Sequence, residues 1–184
     1  MSNAANVSVG KPKAAGGIFS SDTSATLPAN ATSALAEDYK NLGLVSEAGL
    51  TNSVETSSEK IIEWGGATVL TVRVSRDETF SFTFIETNAD VLKEVYGQDN
   101  VTVDGESGDI AVLHNAADLP QRQYVFEIAM TGNRVKRIVV PLAQVDEVGD
   151  VVYVAGEAIG YEVTLATAPD AAGNTAYEYI ASVV

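Results

Sequence analysis

The chain has 184 residues, a formal net charge of −14, one histidine and no cysteine. That length suits one domain burying about 70% of its unfolded surface, and the missing cysteine excludes disulfides, thiol catalysis and cysteine-held metals. With 25 acids against 11 bases, no basic face is left for reading nucleic-acid sequence.

Residues 1–33 are small and polar, with Lys11 and Lys13 their only bases. They read as an N-terminal arm, because so little apolar area cannot offset the entropy of ordering. No apolar stretch follows the lysines, so no signal peptide is expected, and no later run has the length of a membrane span. Residues 34–184 read as a single β domain. Thr32 or Ser33 would cap a short helical turn over residues 34–39, and residues 41–46 form a first strand.

Residues 47–66 are a long acidic connection, with Glu47, Glu55, Glu59 and Glu63 against Lys60 alone. Such length exceeds plain punctuation. An extended hairpin and a functional loop both fit, and a projecting loop that docks elsewhere is the favoured reading. Near its end stand Ile61, Ile62 and Trp64, the only tryptophan, expected as a core or interface anchor.

Residues 67–75 alternate, with Leu70, Val72 and Val74 opposite Thr71, Arg73 and Ser75. The alternation resumes with Phe80, Phe82 and Phe84 opposite Thr79, Ser81 and Thr83. A short connection at Arg76, Asp77 and Glu78 would join the two as a hairpin. The apolar row is then committed to the core. The row Thr71, Arg73, Ser75, Thr79, Ser81 and Thr83 must face water, outside a monomer or in a wet cavity of an assembly.

The period then changes to that of a helix over residues 88–97. Asn88 caps it, Asp90 supplies a first-turn acid, Val91, Leu92, Val95 and Tyr96 form its stripe, and Gly97 stops it. Short strands follow at 101–103 and 110–113. Residues 123–131 and 135–143 form a hairpin through Gly132 and Asn133, with Pro141 marking a bend or an edge. Residues 150–155 and 160–168 read as a third strand pair, and residues 175–182 as a last strand. The sum is a mainly β fold, a sandwich or partly closed barrel with one flanking helix.

No catalytic constellation accompanies these elements. His114, the sole base available to a triad, has no acid or nucleophile patterned near it and reads as solvated or hydrogen-bonded. The glycine-rich stretches lack a phosphate-loop ending, and the acidic turn at 104–109 lacks calcium-loop spacing. No cofactor or metal site is expected. Arg122, Arg134, Lys136 and Arg137 are the only basic cluster, and no base follows Arg137 although seven acids do. Their expected role is pairing with carboxylates, including those of a neighbouring subunit.

Several segments together resemble a known family: residues 3–12, 40–51, the Trp64-Gly65-Gly66 turn, 91–97, 160–163, 169–175 and 178–180. They are similar to the major tail proteins of long, non-contractile-tailed phages of actinobacteria, over nearly the whole chain. No single motif is specific, but their order and spacing are. The resemblance implies a β-sandwich or barrel with one flanking helix, six copies to a ring, and rings stacked into a tube through which the genome leaves the head. It implies a virion component made in the host cytoplasm, with a tape measure protein and a tail terminator as further partners and no catalytic residues. The acidic connection, through Glu47, Glu55, Glu59, Ile61 and Trp64, and the terminal arm would then hold one ring to the next.

The polar row from Thr71 to Thr83 becomes the candidate lining of the bore. An acidic, polar lumen repels phosphates within a Debye length of roughly 8 Å and offers no counterion-release gain, so DNA would pass without specific binding. The alternative is a secreted bacterial β-sandwich that binds a carbohydrate or surface ligand. The missing signal peptide and the lack of clustered exposed aromatics count against it.

Overall fold

Phe80, Phe82 and Phe84 stand at alternate positions of one strand and are all buried, the arrangement their period-2 spacing dictates. In the computed structural model, which describes residues 6–13 and 17–183, this strand is β5, Thr68–Phe84. Residues 1–5 and 14–16 of the expected N-terminal arm lie outside the described residues. The other strands are β1 Gly10–Pro12, β2 Ile18–Ser21, β3 Lys40–Asn41, β4 Thr51–Ile62, β6 Val101–Val103, β7 Ile110–Val112, β8 Arg122–Met130, β9 Arg134–Val148, β10 Tyr161–Thr167 and β11 Tyr177–Ser182. One helix, α1, spans Ala89–Tyr96.

The main sheet is antiparallel and runs β3-β2-β8-β9-β10-β5-β4. β1 joins β8 beside β2, and β11 joins β9 beside β10. It is not closed, because β3 and β4 end the path. Three strand spacings separate β5 from β8, yet Phe80 stacks on Phe126 at 5.3 Å and Phe82 meets it edge-on at 5.7 Å. The sheet therefore folds over on itself, and β9 is the strand it shares between layers. The slip in its ladder comes at Pro141: Tyr124 opposes Val140, whereas Arg122 opposes Ala143. A residue without an N–H cannot hold that rung. The product is a β-sandwich with a flanking helix.

The main core joins the β5 phenylalanines to Val163 and Leu165 of β10, Tyr124 and Phe126 of β8, and Val91, Leu92 and Val95 of α1. The helix begins and ends on the residues its sequence marks. Asn88 Oδ1 accepts from the Val91 N–H at 2.9 Å, and Gly97, at φ 102°, donates its N–H to the Lys93 carbonyl. A second cluster covers the opposite face of β8 and β9, where Tyr39, Leu27 and Leu35 pack on Val125 and Val139.

Five readings from the sequence change here. Of residues 41–46, read as a first strand, only Asn41 lies in a strand, and Val45 makes a single bridge to Phe84. Residues 34–39 form a turn at 37–38 and no helix. Asn30 accepts from the N–H groups of Thr32 and Ser33 instead, the local side-chain bond that competes with helix formation. Residues 10–12 and 18–21, within the stretch read as an arm, are strands paired to β8. Residues 150–155 make no strand; β9 itself runs on to Val148 and supplies the partner of β10. The largest change concerns residues 47–85.

Candidate functional site

The connection read as a projecting loop is one side of an extended hairpin. β4 pairs with β5 from Thr51 opposite Ser81 to Ile62 opposite Thr68, and β5 is a single strand of 17 residues with no turn at residues 76–78. The sheet reaches only part of it, since β10 pairs with residues 79–84 alone. Residues 54–77 therefore leave the body as a two-stranded arm, about 30 Å long at roughly 3.3 Å per residue. Leu70, Val72 and Val74 are exposed on this arm. The expectation that they are committed to the core does not hold, because no second layer extends that far.

A two-stranded ribbon with solvent on both faces is marginal alone, and this one is unusually apolar. Val54, Ile61, Ile62, Trp64, Val69, Leu70, Val72 and Val74 are all exposed, and Trp64, at the tip, is completely so. Glu55 and Glu59 lie along the arm and Glu47 just before it, all exposed or partly so.

A ladder slip redistributes the polar row. Ser57 opposes Ser75 and Ser58 opposes Arg73, so Val74 is an extra, unpaired residue. Directly opposed residues share a face and a bulge shifts the alternation. Ser75, Thr79, Ser81 and Thr83 remain together with Ser57, Ser53 and Thr51. Thr71 and Arg73 pass to the other face, with Lys60 and Ser58. Ser57 and Ser75 hydroxyls lie 2.9 Å apart, and Ser81 and Thr164 hydroxyls 3.1 Å apart. Across β10 the same face continues through Glu162, opposite Thr83, and on β9 through Glu147, opposite Thr164. The result is a hydroxyl-rich face carrying Glu55, Asp77, Glu147 and Glu162 and no lysine or arginine.

The arm leaves the body at a clamp built on Glu78. Its carboxylate accepts from Asn52 Nδ2 at 3.0 Å, from Arg76 at 3.1 Å and from the Thr175 hydroxyl, while Thr167 Oγ1 donates to its carbonyl at 2.9 Å. Burial raises the Glu78 carboxyl, but the hydrogen bonds of Thr175, Asn52 and Arg76 outweigh it and hold it below the ordinary glutamate value.

The basic cluster divides. Arg137 is 2% exposed and spends its whole guanidinium inside the chain, donating to Glu127, to the carbonyls of Asn30 and Ser33 and to Ser33 Oγ. Arg122 lies 2.9 Å from Glu94 and 2.8 Å from Asp22. Glu94 also accepts from Ser20 Oγ and from Tyr124 OH, each at 2.7 Å. Burial first, then the Glu94 carboxylate, push the Tyr124 hydroxyl well above its ordinary value. Arg122 and Arg137 are therefore unavailable to a neighbouring subunit, because each neutralises a carboxylate within its own chain. Arg134 and Lys136 stay partly exposed, the latter 2.8 Å from Glu178.

Glu94 was not singled out from the sequence. Its spacing, three residues after Val91 and one before Val95, puts it on the apolar stripe, and that was the available signal.

The His114 ring packs against Tyr96, with centroids 4.3 Å apart and the ring planes tilted by 37°. Asp104 folds back on its own turn, accepting from the N–H groups of Glu106 and Ser107, bonds that hold its carboxyl below the ordinary aspartate value. Among the described residues no three His, Asp or Glu side chains are grouped to hold a metal ion, and no helix is long and apolar enough to cross a membrane.

A family model described as "Phage tail tube protein" matches residues 3–183. No curated protein matches the sequence. Among solved structures, the chain is similar to one described as "Cryo-EM structure of the anti-feeding prophage cap (AFP tube terminating cap)". The two share 11% identity over 93% of this chain and 92% of that one, with a TM-score of 0.45.

Proposed function

The chain belongs to the phage tail tube proteins, a structural virion family and not an enzyme family, and from that premise we propose how its copies build the tube. They close into rings, six to a ring, and the rings stack into a conduit for DNA between head and host. The projecting arm carries this reading. Its exposed valines, isoleucines, leucine and tryptophan have no partner in the subunit, so burying them against the next subunit supplies the driving force for assembly, roughly 25 cal/mol per Å² of apolar area removed from water. A tape measure protein and a tail terminator would meet the tube inside and at its end.

The hydroxyl-rich face of β4, β5, β10 and β9 lines the bore. Small side chains keep a channel wide, and four acids without a base repel phosphate. The phase shift at Val74 supports this reading, since it takes Arg73, the one charge that would grip DNA, off that face.

The test shortens the arm in register. Replacing residues 59–72 by Asn-Gly joins the opposed residues Ser58 and Arg73 through a hairpin turn and removes Ile61, Ile62, Trp64, Val69, Leu70 and Val72. The variant should be folded and soluble and form no tubes under negative stain. Long tubes from this variant would assign the arm another job.

A further inference from the structure

The arm tip needs a seat, and the charge distribution selects one. The tip is apolar and on balance acidic: Ile61 and Ile62 stand between Glu59 and Glu63, Trp64 follows them, and Lys60 is the one base. Exposed apolar residues elsewhere include Leu113 and residues 152–154, but these stand beside Asp150, Glu157 and Asp118, and neither residues 101–121 nor residues 138–184 contain a lysine or arginine. Seating an acidic tip there would oppose like charges, which costs binding energy and rejects that pairing.

A different surface has the opposite character. At the β8–β9 turn, three separate pieces of chain frame an open groove of about 580 Å³. The Thr131 N–H donates to the Val9 carbonyl at 3.1 Å, and the Val183 N–H donates to the Asn133 carbonyl at 2.7 Å. The N-terminal segment is thus tied to one side of the turn and the C-terminal end to the other. Val9, Met130, Val135 and Val183 supply apolar walls, and Lys11 and Arg134 supply positive charge. Lys13 and Lys136 stand close by in sequence, each already paired, to Glu127 and Glu178. Lys11 has no acidic partner among the described residues. Two other polar recesses with bases carry their own acids: the one around Lys40 and Lys93 holds Asp22, Asp38 and Asp90 and has no apolar lining, and the one at Arg76 holds Glu78 and Glu178.

We propose that this groove receives the arm tip of a second copy of the chain, with Trp64 against Val9, Met130 and Val183, and with Glu59 and Glu63 facing Lys11 and Arg134. The proposal rests on the reading that arms join copies and adds where each arm lands. It makes the contact heterologous: every subunit gives a tip and offers a groove, so the contact propagates instead of ending at a dimer. It also gives the N-terminal segment a role, since β1 carries Lys11 into the groove.

The chain has no cysteine, so single cysteines report contacts without background. Ala67→Cys at the arm tip is mixed with Val9→Cys in the groove, or with Tyr153→Cys on the acidic apolar stretch, and each mixture is assembled and treated with a short thiol–thiol cross-linker. Cross-linked pairs with Val9→Cys but not with Tyr153→Cys are expected. Tubes that cross-link through Tyr153→Cys, or through neither, overturn the groove while leaving the arm's role intact. That role fails separately, if tubes form with the arm shortened.

Charge exchange gives a second readout. Lys11→Glu should raise the concentration needed for assembly by roughly two- to fivefold, the range of exposed pairs, and Glu63→Lys in the same chain should bring it back. Additive losses from the two changes would contradict the pairing.

Discussion

Replacing Arg137 with methionine separates a subunit-internal role from an interface role. The side chain lies 2% exposed and gives hydrogen bonds to Glu127 and to the backbone of Asn30 and Ser33. Methionine fills much of the volume but leaves those carbonyls without donors and Glu127 with Lys13 alone, 3.2 Å away. Breaking a buried pair from one side costs about 3–5 kcal/mol. For a domain of this size each kcal/mol lowers Tm by about 2–4 °C, so the expected fall is roughly 6–20 °C. The assay is thermal unfolding of dilute, unassembled subunits followed by circular dichroism. Lys136→Met is the control: its pair with Glu178 is partly exposed, and such pairs contribute about 0–1 kcal/mol. A fall below about 2 °C for Arg137→Met, with assembly lost, would refute the internal assignment and return Arg137 to the interface.

Glu78→Gln weakens the clamp at the arm root, so the fluorescence anisotropy of Trp64 should fall in the free subunit and assembly should slow, while the phenylalanine core is unaffected. An unchanged anisotropy contradicts the clamp. Because the folded-state value of Glu78 is lowered, its contribution is present above the unfolded glutamate pKa, near 4.3, and is lost as pH falls through the folded value. Glu78→Gln should therefore flatten the acid limb of the stability curve. Tyr39 works in the opposite sense. Burial pushes its hydroxyl up to about 12, against a smaller lowering by Arg137, so its contribution is complete below the unfolded value of about 10 and disappears as pH rises through 12. Tyr39→Phe should lessen the alkaline loss at pH 10–12, and an unchanged alkaline limb contradicts it. A cysteine at Ser81 should react with a bulky maleimide in free subunits and be protected in tubes; full labelling of intact tubes puts the hydroxyl face outside.

Local chemistry was legible wherever it acts within one element. The Asn88 cap, the Gly97 stop, the turn at Gly132 and Asn133 and the three core phenylalanines follow from rules that need no distant partner. The arm was misread for a physical reason. Leu70, Val72 and Val74 have the alternation of a half-buried strand, and alternation alone does not say whether the apolar face is covered by the same subunit or by another. The bulge at Val74 leaves no mark in composition, yet it decides which face Arg73 takes. Arg122 and Arg137 were placed at an interface because the chain is acidic throughout. Glu94 reaches Arg122 only because α1 packs on the sheet, whereas Glu127 stands directly opposite Arg137 across the β8–β9 hairpin, a pairing that the hairpin register already contained.

The most direct test of the assembly is a cryo-EM reconstruction of tubes grown from the purified chain. Stacked rings are expected, with Ser81 and Thr83 on the bore, Arg73 turned away from it, and Trp64 buried against another copy. Tubes with Trp64 exposed to solvent, or with the Ser81 face on the outer wall, would contradict this arrangement.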